Sequence, residues 1–385
     1  MINRTGRVGL AAAVLALASA GAALTVGLGS ASGRPVPVSA ATAIRARPSA
    51  LSPRQLAGQR VIYSYAGLTP PASLLRQIKK GQAAGVIFYT DNISSKAQIK
   101  TVIQELQHAA AQSRVHQPLL MMTDQEGGEV RRLPGAPGRS EKQIGESSNP
   151  AGAARAAGRG AGLNLKSVEM NVNLAPVLDV YREPGDFIDQ YGRSYSNNPQ
   201  TVARLGSYFI NAQQRTGVAA TAKHFPGLGA AATDQDTDSE PVTLNVSKHK
   251  LRTVDELPYR SAIPARVKLV MVSWAIYPAL DPKRPAGLSS TVVQRELRSR
   301  LGFKGVTITD ALEAGALRPY GPTANRVVLA ARAGMDLLLC ASQSVSQGTA
   351  AVTALARALK SGELRRSAFI ASVKRVTALR SGLSP

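Results

Sequence analysis

Eight short apolar runs, each followed by a stretch with helical patterning, constrain this 385-residue chain more than any other feature. They are VIYSYA (61–66), AGVIFYT (84–90), PLLMMTD (118–124), NVNLAPVLDV (171–180), GVAATAKHF (217–225), VKLVMVSW (267–274), GVTITD (305–310) and MDLLLC (335–340). The runs are nearly continuous rather than alternating, the pattern of parallel strands covered on both faces. Between them, LLRQIKKGQAA (74–84) and AQIKTVIQELQHAAAQS (97–113) read as helices. Eight such units in about 330 residues predict an α/β fold, a single (β/α)8 TIM-type barrel over 54–385. An open doubly wound sheet is the alternative. No GxGxxG follows the first run, which disfavours a dinucleotide-binding version.

Ahead of the barrel, MINRTGR carries Arg4 and Arg7, an apolar stretch runs from Val8 to about Leu28, and the small residues GSASG follow. This order predicts a signal peptide over 1–33 and a secreted or cell-wall-associated protein. An uncleaved membrane anchor is the alternative, since the stretch approaches the ~20 residues that span a bilayer. Its Ala/Gly richness favours cleavage. The segment RPVPVSAATAIRARPSALSP (34–53) reads as a flexible linker. Cys340 is the only cysteine, so no intrachain disulfide can form, and its place at the end of MDLLLC predicts a buried, inert thiol. The formal net charge of +23 predicts attraction to polyanions, for an exported protein the anionic polymers of a cell envelope. Aromatic residues make up only 4%, too few for base-stacking platforms, so no nucleic-acid partner is expected.

Polar residues gather where the runs end. Asp124, Asp179, the Lys223–His224 pair and Asp310 all stand at or just past a predicted carboxyl end, positions that converge on one mouth in a barrel. Any one of these acids could instead cap a helix, Asp310 that of Ala311–Leu317. Four such placements make capping alone a poor account. Between the glycine pair of KHFPGLG (223–229) and SEP lies TDQDTD, with Asp234, Asp236 and Asp238 at alternating positions. The run lacks the glycine and distal glutamate of a calcium loop. No metal ligand set is read from the chain, and no cofactor is expected. A solvated acidic loop is one reading. The other makes one of these aspartates a proton donor paired with Asp310, because glycoside cleavage uses two carboxyl groups across the scissile bond.

Several of these stretches carry a resemblance. AGVIFYTDNI (84–93), TDQEGGEVRRL (123–133), NVNLAPVLDVY (171–181), KHFPGLG (223–229), YPALDP (277–282), GVTITDAL (305–312) and AGMDLLL (333–339) together resemble the N-terminal, catalytic-domain type of glycoside hydrolase family 3. The closest likeness is to its single-barrel bacterial β-N-acetylhexosaminidases, over about residues 55 to 379. The resemblance implies that Asp310 is the nucleophile that forms a covalent glycosyl-enzyme. It implies that Asp124, Lys223 and His224 hold sugar hydroxyls, with Arg193, in GRSYS (192–196), as a further substrate contact.

The chain departs from that pattern in its loop. The subgroup carries a second histidine within the glycine pair and then an Asp-Ser-His whose Asp-His dyad is the acid/base. Here the glycines enclose Leu228, and Asp234-Gln235-Asp236 stands where Asp-Ser-His would be. The histidines are His108, His116, His224 and His249, none at the dyad position. Two close aspartates can raise one another's pKa, so Asp236 or Asp234 is expected to replace the imidazole, the loop being the one source of an acid in a single-barrel chain. The expected function is a retaining glycoside hydrolase removing terminal β-linked sugars, N-acetylhexosamine of cell-wall fragments such as peptidoglycan. The alternatives are a β-glucosidase or β-xylosidase, and a non-catalytic carbohydrate- or cell-wall-binding protein of the same fold. A monomer is favoured.

Overall fold

The computed structural model describes residues 50–383. The expected leader and most of the linker lie outside the described residues. The linker's last residues belong to the folded body: Leu51 is buried, and Ser52 caps a short helix, Pro53–Gly58.

Eight strands form the barrel: β1 (Val61–Tyr63), β2 (Gly85–Ile87), β3 (Leu120–Thr123), β4 (Val172–Asn173), β5 (Ala219–Phe225), β6 (Leu269–Val272), β7 (Val306–Thr309) and β8 (Leu338–Leu339). One falls in each apolar run, and every neighbouring pair is parallel, in the spatial order β7-β6-β5-β4-β3-β2-β1-β8. A parallel bridge between Ile308 and Leu337 joins the two ends. There the Leu337 N–H donates to the Thr307 carbonyl at 2.9 Å and the Thr309 N–H to the Leu337 carbonyl at 3.1 Å. The sheet therefore closes on itself, and the open doubly wound alternative is set aside.

The helices follow in alternation: α1 (Ala72–Lys79), α2 (Lys96–Ala111), α3 (Pro150–Ser167), α4 (Pro199–Gln214), α5 (Leu257–Ala262), the π-wound α6 (Thr291–Arg300), α7 (Thr323–Ala333), α8 (Val345–Lys360) and α9 (Arg366–Ser381). Alternate strand residues fill the barrel interior, among them Ile62, Ile87, Met122, Val172, Ala219, Met271, Ile308 and Leu339. Val376 and Leu379 of α9 join this inner cluster. The other strand faces pack outward against the helices. Each strand is thus apolar on both sides, which is why the runs carry no alternation. Cys340 is fully buried, and burial pushes its thiol pKa up, away from thiolate chemistry.

Asp310 does not cap a helix. Its Oδ1 accepts the next residue's N–H at 2.8 Å, and the following regular structure is a 3-10 segment beginning only at Gly315. No described helix is long and apolar enough to cross a membrane.

Candidate active site

The carboxyl ends of the strands surround a pocket of about 210 Å3, lined by Asp124, Arg193, Lys223, His224, Asp236, Asp238 and Asp310, with Tyr89 and Arg132 beside them. The fold therefore brings together polar residues from five of the eight strand ends or the loops that follow them. Of the residues singled out from sequence, Asp179 lies buried against His224 rather than on the pocket wall, and Asp234 is exposed and lines no part of the pocket.

The floor is an ion-pair network. Lys223 donates to Asp124 and to Glu126, both at 2.7 Å, while Arg193 makes a two-pronged contact with Glu126 at 2.9 and 3.0 Å. Burial alone would raise the Glu126 carboxyl, but Arg193 and then Lys223 outweigh it and hold it at about 2. Burial would likewise lower Lys223, yet Asp124 and Glu126 raise it, so the ammonium stays charged. Behind this network the Glu141 carboxyl is buried and pushed well up by that burial, with Oε1 accepting the Val177 N–H at 2.9 Å. Val177 in turn bridges Lys223, so Glu141 fixes the backbone from which the lysine projects.

His224 is oriented rather than free. Its Nδ1 lies 2.7 Å from Asp179 Oδ2, and the other oxygen of Asp179 accepts the backbone N–H groups of His224 and Leu228 at 3.3 and 2.7 Å. With Nδ1 donating to Asp179, Nε2 is left for the pocket. Asp179 thus sets both the imidazole and the start of the loop. The Lys223–His224 peptide between the two pocket residues is cis.

The loop after β5 is docked on both sides. The Phe187 N–H donates to the Ala231 carbonyl at 3.1 Å and Gln190 Nε2 to the Thr233 carbonyl at 2.9 Å. Opposite, the N–H groups of Gly315 and Ala316 donate to the carbonyls of Asp238 and Thr237 at 2.7 and 3.0 Å. Two glycines permit this seating. A Cβ on Gly229 would lie 1.9 Å from the Val180 carbonyl oxygen, and one on Gly315 would lie 2.0 Å from that of Ser239. The second glycine of KHFPGLG is thus a close-approach residue.

Within the loop the aspartates divide their work. Asp236 is consumed by the turn: Oδ1 accepts the Asp238 N–H at 2.9 Å and Oδ2 accepts the Ser239 hydroxyl at 2.7 Å. Asp238 has no such bond and faces the pocket that holds Asp310. Crowding by surrounding protein, followed by the charges of Asp310 and Asp236, pushes its carboxyl up to about 7. The residue keeps an exposed surface at the pocket rim, so water screens part of this effect; the upward direction is what matters chemically. Tyr89 is raised too, by burial and by the nearby Asp124, Glu313 and Asp310, and stays a protonated donor. The site thus offers the Asp310 carboxyl just past β7, the Asp238 carboxyl raised toward neutrality, and fixed donors and acceptors between them.

The sequence reading missed Glu126, Tyr89 and Arg132 as pocket or network residues. Glu126 had a usable signal: it stands two residues from Asp124, the spacing that puts both on one side of an extended segment. That segment, Gln125–Gly127, does pair as a strand with Val130–Arg131.

Comparison with known proteins agrees with this geometry. The model of the glycosyl hydrolase family 3 N terminal domain matches residues 57–379. An uncharacterized secreted glycosyl hydrolase of Arthroderma benhamiae is 50% identical over 329 residues, 85% of this chain and 93% of that protein. A family 3 β-N-acetylglucosaminidase from Paenibacillus sp. superposes with a TM-score of 0.81 at 34% identity, covering 86% of this chain and 63% of its own. The β-N-acetylhexosaminidase of Beutenbergia cavernae gives 0.77 at 28% identity, covering 86% of this chain and 99% of its own. The pocket, the barrel and these likenesses converge: the chain belongs to glycosyl hydrolase family 3, through the N-terminal domain that makes up its barrel, and is an O-glycosyl hydrolase similar to β-N-acetylhexosaminidases.

Proposed function

We propose that this chain is a secreted retaining hydrolase that removes terminal β-linked N-acetylhexosamine, by double displacement, from carbohydrate such as cell-wall fragments. The carrying observation is that Asp310 and a proton-holding Asp238 face one small pocket. In the first step an Asp310 oxygen attacks the anomeric carbon, the bond to the leaving oxygen breaks, and Asp238 gives that oxygen its proton. In the second, Asp238 takes a proton from water as the water attacks the same carbon and frees Asp310. Retention calls for the two carboxyls to close to about 5–5.5 Å around the substrate. Asp124, Lys223, His224 and Arg193 serve the sugar: carboxylate oxygens accept from hydroxyls, and Lys223 donates. The pocket volume, below the ~300–1,000 Å3 of drug-sized sites, suits one terminal ring. The N-acetylhexosamine preference is carried over from the named activities of the Paenibacillus and Beutenbergia proteins, and export from the N-terminal pattern and the Arthroderma relative.

The test is a series of aryl N-acetyl-β-glucosaminides with graded leaving groups. Asp310→Ala should abolish turnover of all of them. Asp238→Asn should cost about 10²–10⁴-fold with poor leaving groups and little with activated ones. A wild-type covalent adduct mapped to a residue other than Asp310, or a leaving-group dependence that tracks Asp236→Asn instead, would overturn the assignment. Absence of any turnover or adduct would favour the non-catalytic binding alternative.

A further inference from the structure

The small residues of α3, PAGAARAAGRGAGLNLKS, let it lie very close to α4. A Cβ on Gly158 would lie 2.3 Å from the Phe209 carbonyl oxygen, and one on Gly162 would lie 2.2 Å from Thr216 Oγ1. Close approach of the backbones makes the long side chains on their outer flanks converge. Arg155, Arg159 and Lys166 of α3 and Arg215, just past α4, line one groove of about 810 Å3 on the outside of the barrel. No carboxylate lines it, and none of these four cations forms an ion pair among the described residues. At 1.5 Å per residue, Arg155 and Lys166 stand about 16 Å apart along α3. The groove therefore presents a row of charges, not a point. One face of its aromatic ring, Tyr208, is covered by the Arg155 guanidinium at 3.8 Å, so that face is closed to a nucleobase. Leu163 adds exposed apolar surface.

We propose that this groove binds a linear polysaccharide bearing carboxylate groups, holding an anionic glycan against the flank of a carbohydrate-cleaving barrel. Guanidinium forks match carboxylates in geometry, and a second attachment on one polymer raises the local concentration of chain ends at the pocket. The site is separate from the catalytic pocket, and its test does not depend on the catalytic assignment.

The probe is polygalacturonate, titrated calorimetrically against the full chain, with a neutral chitin oligosaccharide and a single-stranded DNA oligomer in parallel. The wild type should bind polygalacturonate, losing at least about tenfold in affinity between 50 and 200 mM salt. The triple variant Arg155→Gln, Arg159→Gln, Arg215→Gln should lose about tenfold or more. A control with the same change in charge, Arg54→Gln, Arg357→Gln, Lys360→Gln, alters another basic surface, beside α8, and should lose less than about twofold. Unchanged thermal midpoints establish that both variants fold. Equal losses in the two variants would reduce the effect to general surface charge and overturn the proposal. So would equal binding of the neutral glycan, tighter binding of DNA through the same residues, or no binding of polygalacturonate.

Discussion

Glu126 meets two cations, and its removal tests how the pocket floor is held. Glu126→Gln leaves Arg193 and Lys223 short of a buried negative charge, a change expected to cost about 3–5 kcal/mol. Chemical denaturation should show the loss, with a raised KM for the aryl glycoside. The pH dependence has a definite sign. The folded carboxyl sits at about 2 against an ordinary 4.5, so its contribution is complete above 4.5 and is lost as pH falls toward 2. The variant should lack that part of the acid limb. Asp238 has the opposite sign, pushed up from 3.8 to about 7. Its contribution is complete below 3.8 and is lost as pH rises through 7. Asp238→Asn should therefore raise the thermal midpoint at pH 8 relative to wild type and leave it unchanged near pH 3, while wild-type turnover of poor leaving groups declines above pH 7. A midpoint shifted equally at both pH values would contradict the assignment of the proton to Asp238. The histidine-free loop was legible in sequence. Which of three alternating aspartates keeps a free carboxyl was not, because that depends on which one the turn consumes.

The loop between Gly227 and Ser239 works as an element clamped on two sides. Its seat on Gly315 and Ala316 ties Asp238 to the connector that leaves β7, the strand that ends just before Asp310. Gly315→Ala forces a methyl group into the Ser239 carbonyl and must shift one side or the other. Displacements of about 1 Å in a reacting group can cost 10²-fold. The variant should lower kcat by about 10–100-fold for poor leaving groups and leave activated substrates closer to wild type. Faster proteolytic cleavage between 230 and 240 should accompany the loss; wild-type kcat with an intact protease pattern would show that the clamp positions nothing. The sequence marked the loop's glycines but not this contact, since Gly315 and Ser239 are far apart in the chain and neither belongs to a motif.

At the scale of the whole molecule, closure depends on joining β8 back to β7. Asp336 is fully buried beside that seam, accepting from Arg298 at 2.6 Å, from Arg375 at 2.7 Å and from the Thr307 N–H at 3.0 Å. One carboxylate thereby links α6, β7, the approach to β8 and α9. Asp336→Asn should destabilise the barrel by about 3–5 kcal/mol, because two guanidinium groups lose their counter-charge. Thermal unfolding is the measure, and a midpoint within a degree of wild type would show that the seam holds without it. The basic groove shows the same dependence on folding: Arg215 joins the three cations of α3 only where α3 and α4 meet.

The sequence by itself determined the strand count, the all-parallel arrangement and the place of Asp310 at a strand end. These are properties of short windows: a strand buried on both faces must be apolar throughout, and a polar residue at its carboxyl end must open onto the mouth. The tertiary structure alone decided that Asp310 is not a helix cap, that Glu126 neutralises both Arg193 and Lys223, and that Asp238 faces the pocket while Asp236 closes a turn. Arg193 and Glu126 lie 67 residues apart, and Lys223 and Asp124 lie 99 apart. Charges that distant in sequence acquire their pKa values and partners only when barrel closure brings them within hydrogen-bonding distance and removes the water between them.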